Sequence, residues 1–193
     1  MRRNDALRLI LVARELIEKE GFFMENMETQ SMMEVYERLG TPGDRHKILA
    51  GMAGRWTTRT RYWPEAGKPP MESVGTCEQK MILDGRFLQQ EFRGEMMGKP
   101  FMGIGVTGYD NHTRKYVSTW MDSMSTSILF FKGTELNGKT ISQACSYDDP
   151  VRGPMRWRSV TRILNENSHV FEMYGTDSTG KEERMMEIIY TRR

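Results

Sequence analysis

From Gly54 to the C-terminus every strand-length stretch ends in a reversal signal, and no connection is long enough for a parallel crossover. Parallel neighbours need roughly a dozen residues or more between them, commonly a helix. The stretches expected as strands are 54–63, 73–83, 86–93, 101–109, 115–122, 125–132, 138–147, 155–164, 168–175 and 182–192. Asp84-Gly85, Gly94 to Pro100, Asp110 to Thr113, Gly133 to Asn137 and Asp148 to Pro154 are among the turns between them. Each carries the Gly, Asn, Asp or Pro that a reversal requires. The expected fold class is therefore all-β: a single antiparallel up-and-down β-barrel of about ten strands. A two-sheet sandwich is the alternative.

The stretch Phe101 to Ser125 shows the pattern most clearly. Tyr116, Ser118, Trp120 and Asp122 alternate with Val117, Thr119 and Met121, which places the two sets on opposite faces of a sheet. Gly103, Gly105 and Gly108 stand on the preceding strand, where side chains would normally pack. Glycine inside a strand marks a bend, a bulge or the close approach of another group. A sheet that bends so sharply tends to close, and a closed barrel encloses alternate residues of every strand. The inward set is read as Trp56, Thr58, Gln90, Phe92, Tyr116, Trp120, Phe171 and Met173. Aromatic and thioether surface with isolated polar groups is the lining of a small-molecule pocket. A one-residue slip in any strand would invert its assignment.

Residues 1–43 read as an N-terminal helical appendage and 44–193 as the barrel. Ala6, Leu9, Ile10, Ala13, Leu16 and Ile17 make an apolar stripe that Gly21 would end. Met32, Val35, Tyr36 and Leu39 make a second, stopped by Gly40. Helices this short are not stable alone. They are expected to cover the barrel mouth or to form a homo-oligomer contact through residues 1–40. A short helix, 44–53, leads into the first strand.

The formal net charge of +2, from 28 basic and 26 acidic residues, gives no reason to expect nucleic acid or an anionic membrane as partner. No apolar run reaches the length of a membrane span. Cys77 and Cys145 offer no disulfide framework and read as buried free thiols, which agrees with a reducing, cytoplasmic setting. The 17 methionines suit an adaptable interior, and Met24 and Met27 are both placed to serve as alternative translation starts.

Several segments together resemble a known family. They are Gly54-x-Trp56 after a short helix, GIGVTGYDNHTRKYVSTWMDSMST, MILDGRFLQQEFRGEMMGKPF, and the closing pair HVFEMYGTDSTG and KEERMMEIIYTRR. From about Met27 to the end the chain is similar to an uncharacterised bacterial family, domain of unknown function 1579. That family resembles the calycins: lipocalins, fatty-acid-binding proteins and nitrobindin-like barrels. The resemblance implies a closed barrel with a cavity, and an Arg at the end of the last strand lying over the Trp of Gly-x-Trp. Trp56 fits the Trp, and Arg192 or Arg193 the Arg. Nitrobindin-like barrels hold haem through a His near the end of the chain. The final strand here has none, and His169 lies one strand earlier.

Motifs for catalysis are sparse. His46, His112 and His169 show no metal-ligand spacing, so no metal site is expected. There is no GxSxG, and neither cysteine has a nearby His in sequence. Asp122 and Glu91 could pair as acid and base. Gly103-x-Gly105-x-x-Gly108 runs into a turn and a strand rather than a helix, which excludes a dinucleotide site. Arg55, Arg59 and Arg61 share one face of the first strand and read as an external charged surface. The reading that follows is binding of a small apolar or aromatic molecule in the barrel, with no cofactor specified. The alternatives are an isomerase or hydrolase using the same cavity, and an interaction protein docking through its N-terminal helices.

Overall fold

The computed structural model describes residues 3–65, 67–149, 153–176 and 180–193, and in the first helix the side chains of residues 14, 15, 18–21, 24, 27 and 29–40. The chain divides into two compact units, Met1–Thr41 and Pro42–Arg193. In the first, α1 (Arg3–Gly40) is one continuous helix, and the break expected at Gly21 does not occur. A glycine inside a helix costs only about 1 kcal/mol relative to alanine. The Met, Glu and Gln residues that follow Gly21 favour the helix and carry it through. Among the described residues no helix is long and apolar enough to cross a membrane.

The second unit opens with α2 (Asp44–Gly51). Its strands are β1 (Gly54–Tyr62), β2 (Met71–Ile82), β3 (Phe87–Met96), β4 (Lys99–Asp110), β5 (Lys115–Asp122), β6 (Leu129–Glu135), β7 (Thr140–Asp149), β8 (Gly153–Asn165), β9 (Ser168–Thr176) and β10 (Glu182–Arg192). They form a closed antiparallel barrel in which each strand pairs with its neighbours in sequence and β10 pairs back onto β1. Closure leaves no unpaired edge. β3 and β4 meet through Met97-Gly98, with φ of 52° and 74°. Positive φ at both positions is the two-residue hairpin turn whose twist matches the strands.

β6 begins at Leu129, later than the expected 125–132. The serines explain the delay. Asp122 accepts a bond from the Met124 N–H and Ser125 Oγ one from the Ser127 N–H, both at 2.9 Å, so local side-chain bonds replace ladder bonds here. At its far end β6 runs through Gly133, which was expected in the turn. Gly133 lies so close to the β7 backbone that a Cβ would collide with the Ser142 carbonyl.

α2 closes one end of the barrel. Leu49 and Met52 pack there with Leu88, Tyr116 and Ile141. His46, buried in the same helix, accepts a bond at Nδ1 from the Gly43 N–H and meets the edge of Tyr109. A second cluster, including Trp56, Cys77, Phe92, Phe101, Ile188 and Tyr190, lines the barrel above it.

Of the two candidate arginines, Arg192 lies over Trp56, its guanidinium carbon 4.3 Å from the ring centroid. Arg192 also donates to the carbonyls of Gly51, Ala53 and Glu166. The Trp56 indole in turn donates to the Met52 carbonyl at 3.0 Å. Gly54 is required beside this pair: its φ is +148°, and a Cβ there would strike the Arg192 guanidinium. Arg193 bonds instead to Thr57 Oγ1. Replacing Arg192 with Ala removes the stacked cation and three charge-assisted bonds. We expect Arg192→Ala to lower unfolding stability by about 2 kcal/mol or more in urea titration, with the barrel still formed.

Candidate ligand cavity

The strand register fixes what faces inward. Trp56, Thr58, Thr60 and Tyr62 of β1 lie across from Arg192, Tyr190, Ile188 and Met186 of β10. The same parity continues around the ring. It encloses a cavity of about 490 Å³, within the roughly 300–1,000 Å³ usual for small-molecule sites.

Three zones make up its wall. Towards α2 it is apolar, with Met52, Leu88 and Ile141. Towards the other end it is rich in methionine, with Met96, Met97, Met124, Met173, Met185 and Met186. Met97 and Met124 are exposed, which marks that end as the mouth. Between them lies a polar belt. Thr107 Oγ1 bonds Ser118 Oγ, which donates to Gln143 Oε1, both at 2.9 Å. On the adjoining strands β2 and β3, Gln79 Nε2 donates to Gln90 Oε1 at 3.2 Å.

Of the residues read as inward from sequence, Gln90, Phe92, Trp120, Phe171 and Met173 line the cavity. Trp56, Thr58 and Tyr116 face the same way but are almost wholly buried in the packed part of the barrel and do not border it. Alternation reports the face of a strand, not the height along it. Gly103 and Gly105 are explained by Trp120. A Cβ at Gly103 would run into the Trp120 ring, and one at Gly105 would lie 3.1 Å from it. Trp120 therefore lies flat against β4, with its indole N–H donating to Asp122 Oδ2 at 2.9 Å.

Thr60, Gln79, Gln143, Trp157 and His169 also line the cavity and were not singled out for it. Polar residues on an inner face look like solvent-facing ones in an alternating pattern. Glu91 bonds Gln89 on the outer face of β3, as the inward Gln90 and Phe92 require, so the Glu91–Asp122 pairing is not made. Arg55 and Arg61 face outward too, paired with Glu78, Glu72 and Glu187.

Burial keeps the thiols and the imidazole of the interior neutral. It pushes the Cys77 thiol up to about 12 and the Cys145 thiol up to about 11, so neither is a ready thiolate nucleophile. His169 stacks on Tyr190 at 4.2 Å and meets Trp56 edge-on at 4.5 Å. Burial, aided by the nearby Arg192 charge, lowers its pKa to about 4. Among the described residues no three His, Cys, Asp or Glu side chains converge as metal ligands, and no Lys or Arg lines the cavity. Haem does not fit these residues. Its carboxylate arms would meet no cation, and the one lining imidazole is clamped between two aromatic rings.

Residues 41–192 match the family described as protein of unknown function (DUF1579). The chain belongs to the DUF1579 family. The match spans the whole barrel, from the residue before α2's unit to β10. Rv2717c from M. tuberculosis is similar in structure, with 14% identity, a TM-score of 0.52, and coverage of 76% of this chain and 96% of that one. A de novo designed fluorescence-activating β-barrel is similar at 16% identity and a TM-score of 0.44, over 76% of this chain and 97% of that one. At these identities the likeness is one of fold. No curated protein matches the chain.

The neutral histidine has a consequence for this DUF1579 barrel. In the unfolded chain His169 protonates near its ordinary 6.5, and in the barrel only near 4. Between those values the unfolded state binds more protons, so stability falls as pH drops through this window and is intact above it. The loss attributable to His169 approaches about 3 kcal/mol at the low end. His169→Phe keeps a ring between Trp56 and Tyr190. Urea titrations at pH 7.5 and 4.5 are expected to show a smaller acid penalty in that variant than in the wild type.

Proposed function

We propose that the barrel binds a small apolar or aromatic molecule in its central cavity. The supporting observation is the cavity itself, about 490 Å³ of space bordered by methionine and aromatic side chains. Protein interiors pack to near-crystalline density with few voids larger than a water molecule. The α2 end of this barrel obeys that rule, with Leu49 and Tyr116 wholly buried. The space above it is thus maintained rather than left by poor packing, since glycines at 103 and 105 hold the Trp120 ring against the wall. Methionines at the mouth are flexible enough to part for an entering molecule and to close around it.

The neutral dye N-phenyl-1-naphthylamine tests the reading. Its emission is expected to rise on mixing with the protein while tryptophan emission is quenched. Trp120→Ala should weaken binding about tenfold or more while the far-ultraviolet circular dichroism stays that of the barrel. No change in either emission signal on titration to saturation of the dye's solubility defeats the proposal.

A second role is favoured by α1. Met24, Met27, Met32, Val35 and Tyr36 are exposed along that helix at helical spacings. Such a stripe calls for a partner. The reading is a homo-oligomer held through residues 1–40. Light scattering on the full chain should give a multiple of 22.5 kDa, and the double variant Met27→Glu, Val35→Glu should fall to the monomer mass. A monomeric wild type ends this second reading.

A further inference from the structure

Four buried polar atoms on the cavity wall have no hydrogen-bond partner: Thr60 Oγ1, Gln79 Oε1, Gln143 Nε2 and Trp157 Nε1. Each such atom costs roughly 1–3 kcal/mol when left unmet. Thr60, Gln79 and Gln143 are 4%, 5% and 8% exposed, so bulk solvent does not reach them.

Their arrangement is directional. Gln143 is held with its carbonyl oxygen towards Ser118, which leaves its Nε2 donor unmet. Trp157 lies on β8, the neighbour of the Gln143 strand, and presents a second donor from the same side. Gln79 gives its amide nitrogen to Gln90 and leaves its oxygen, an acceptor, unmet. β2, which carries Gln79, stands five places from β7 in the ten-strand ring, on the opposite wall. One wall therefore offers donors and the facing wall an acceptor. Charge adds a further condition. Among the described residues no Lys or Arg lines the cavity, and its carboxylates, Glu95, Asp122 and Asp149, stand towards the mouth. A buried anion without a partner is strongly disfavoured.

We infer that the ligand is an uncharged planar aromatic molecule with a carbonyl-type acceptor at one end, met by Gln143 and Trp157, and an N–H or O–H donor at the other, met by Gln79. This inference rests on the proposed binding role and specifies its chemistry. It sets this barrel apart from one built for a carboxylate, which would need a cation inside.

A series of bicyclic probes of similar size isolates each term: naphthalene, coumarin (acceptor only), 7-aminocoumarin (acceptor and donor at opposite ends) and 2-naphthoate (anion). Calorimetry or tryptophan quenching on the full chain should rank 7-aminocoumarin above coumarin and coumarin above naphthalene, by about tenfold at each step. The anion 2-naphthoate should bind more weakly than naphthalene. Gln143→Leu should erase the advantage of coumarin over naphthalene, and Gln79→Leu that of 7-aminocoumarin over coumarin. The wild-type series stands by itself if either variant fails to fold. Naphthalene binding as tightly as 7-aminocoumarin, as it would if ordered water already served the four atoms, overturns the inference. So does 2-naphthoate binding more tightly than naphthalene. Uptake of N-phenyl-1-naphthylamine without this ranking overturns the inference alone, whereas failure of every probe and of the dye overturns the binding role with it.

Discussion

The stack of Arg192 on Trp56 ties together the parts of the barrel most distant in sequence. Trp56 stands near the start of β1 and Arg192 ends β10, and the two are partners in the register that closes the ring. Through its three backbone acceptors Arg192 also fastens the segment after α2 and the β8–β9 turn. A closed sheet is committed to its closing seam, because an open seam would expose two full edges. Placing a cation–aromatic contact and several charge-assisted bonds there concentrates stability where closure most needs it. The arrangement also frees the other end, which no helix of this unit covers, to be a mouth.

The interior divides accordingly into a packed half and a hollow half. Near α2 the inward positions carry large side chains that fill the barrel, and Leu49 enters from the helix as a plug. Further up, inward positions at Gly103 and Gly105 carry no side chain at all. The row on β4 lets one large ring lie along the wall instead of across the lumen. The hollow half then adds unmet polar atoms, which lower the stability of the empty barrel. A ligand that satisfied them would recover that free energy together with the burial of its own apolar surface. Stability at the seam and instability at the belt are thus complementary parts of one design.

Most of the architecture was legible because turn chemistry is local. Asp84-Gly85, Asp110 to Thr113 and Asn165 to Asn167 separate strands in the sequence, and the closed meander follows from their number and shortness. Gly54-x-Trp56 with a terminal arginine was legible too, since all three residues answer to a single contact. β6 was harder, because Ser125 and Ser127 look compatible with a strand until their neighbours' backbone bonds are known. Large aromatics gave the inner face of β5 correctly, although the exposed Met102, Ile104 and Met121 put apolar residues on the outer face as well. What could not be read was depth. Tyr116 and Trp120 share a face, yet one is sealed beneath α2 and the other borders the cavity. Nor could alternation distinguish Gln79 and Gln143 from outward glutamines, because only closure decides which side of a polar strand is dry.

The ionisation states of the interior bear on the choice between carrying and catalysis. Nucleophilic and acid–base mechanisms need a group poised to change its charge near neutral pH. Here burial moves the candidates away from neutrality in opposite directions: Cys77 and Cys145 remain thiols, His169 remains neutral, and Tyr190 remains a phenol. Asp122, the carboxylate beside Trp120, has both oxygens engaged, one by the indole N–H and one by the Met124 N–H. A ligand bound in such an interior would be discriminated by shape and by hydrogen-bond direction, and these four groups would keep their charge state between the histidine's depressed value and the thiols' raised ones. Nucleophilic chemistry at either thiol would first need a nearby cation to lower its pKa, and among the described residues no Lys or Arg lines the cavity.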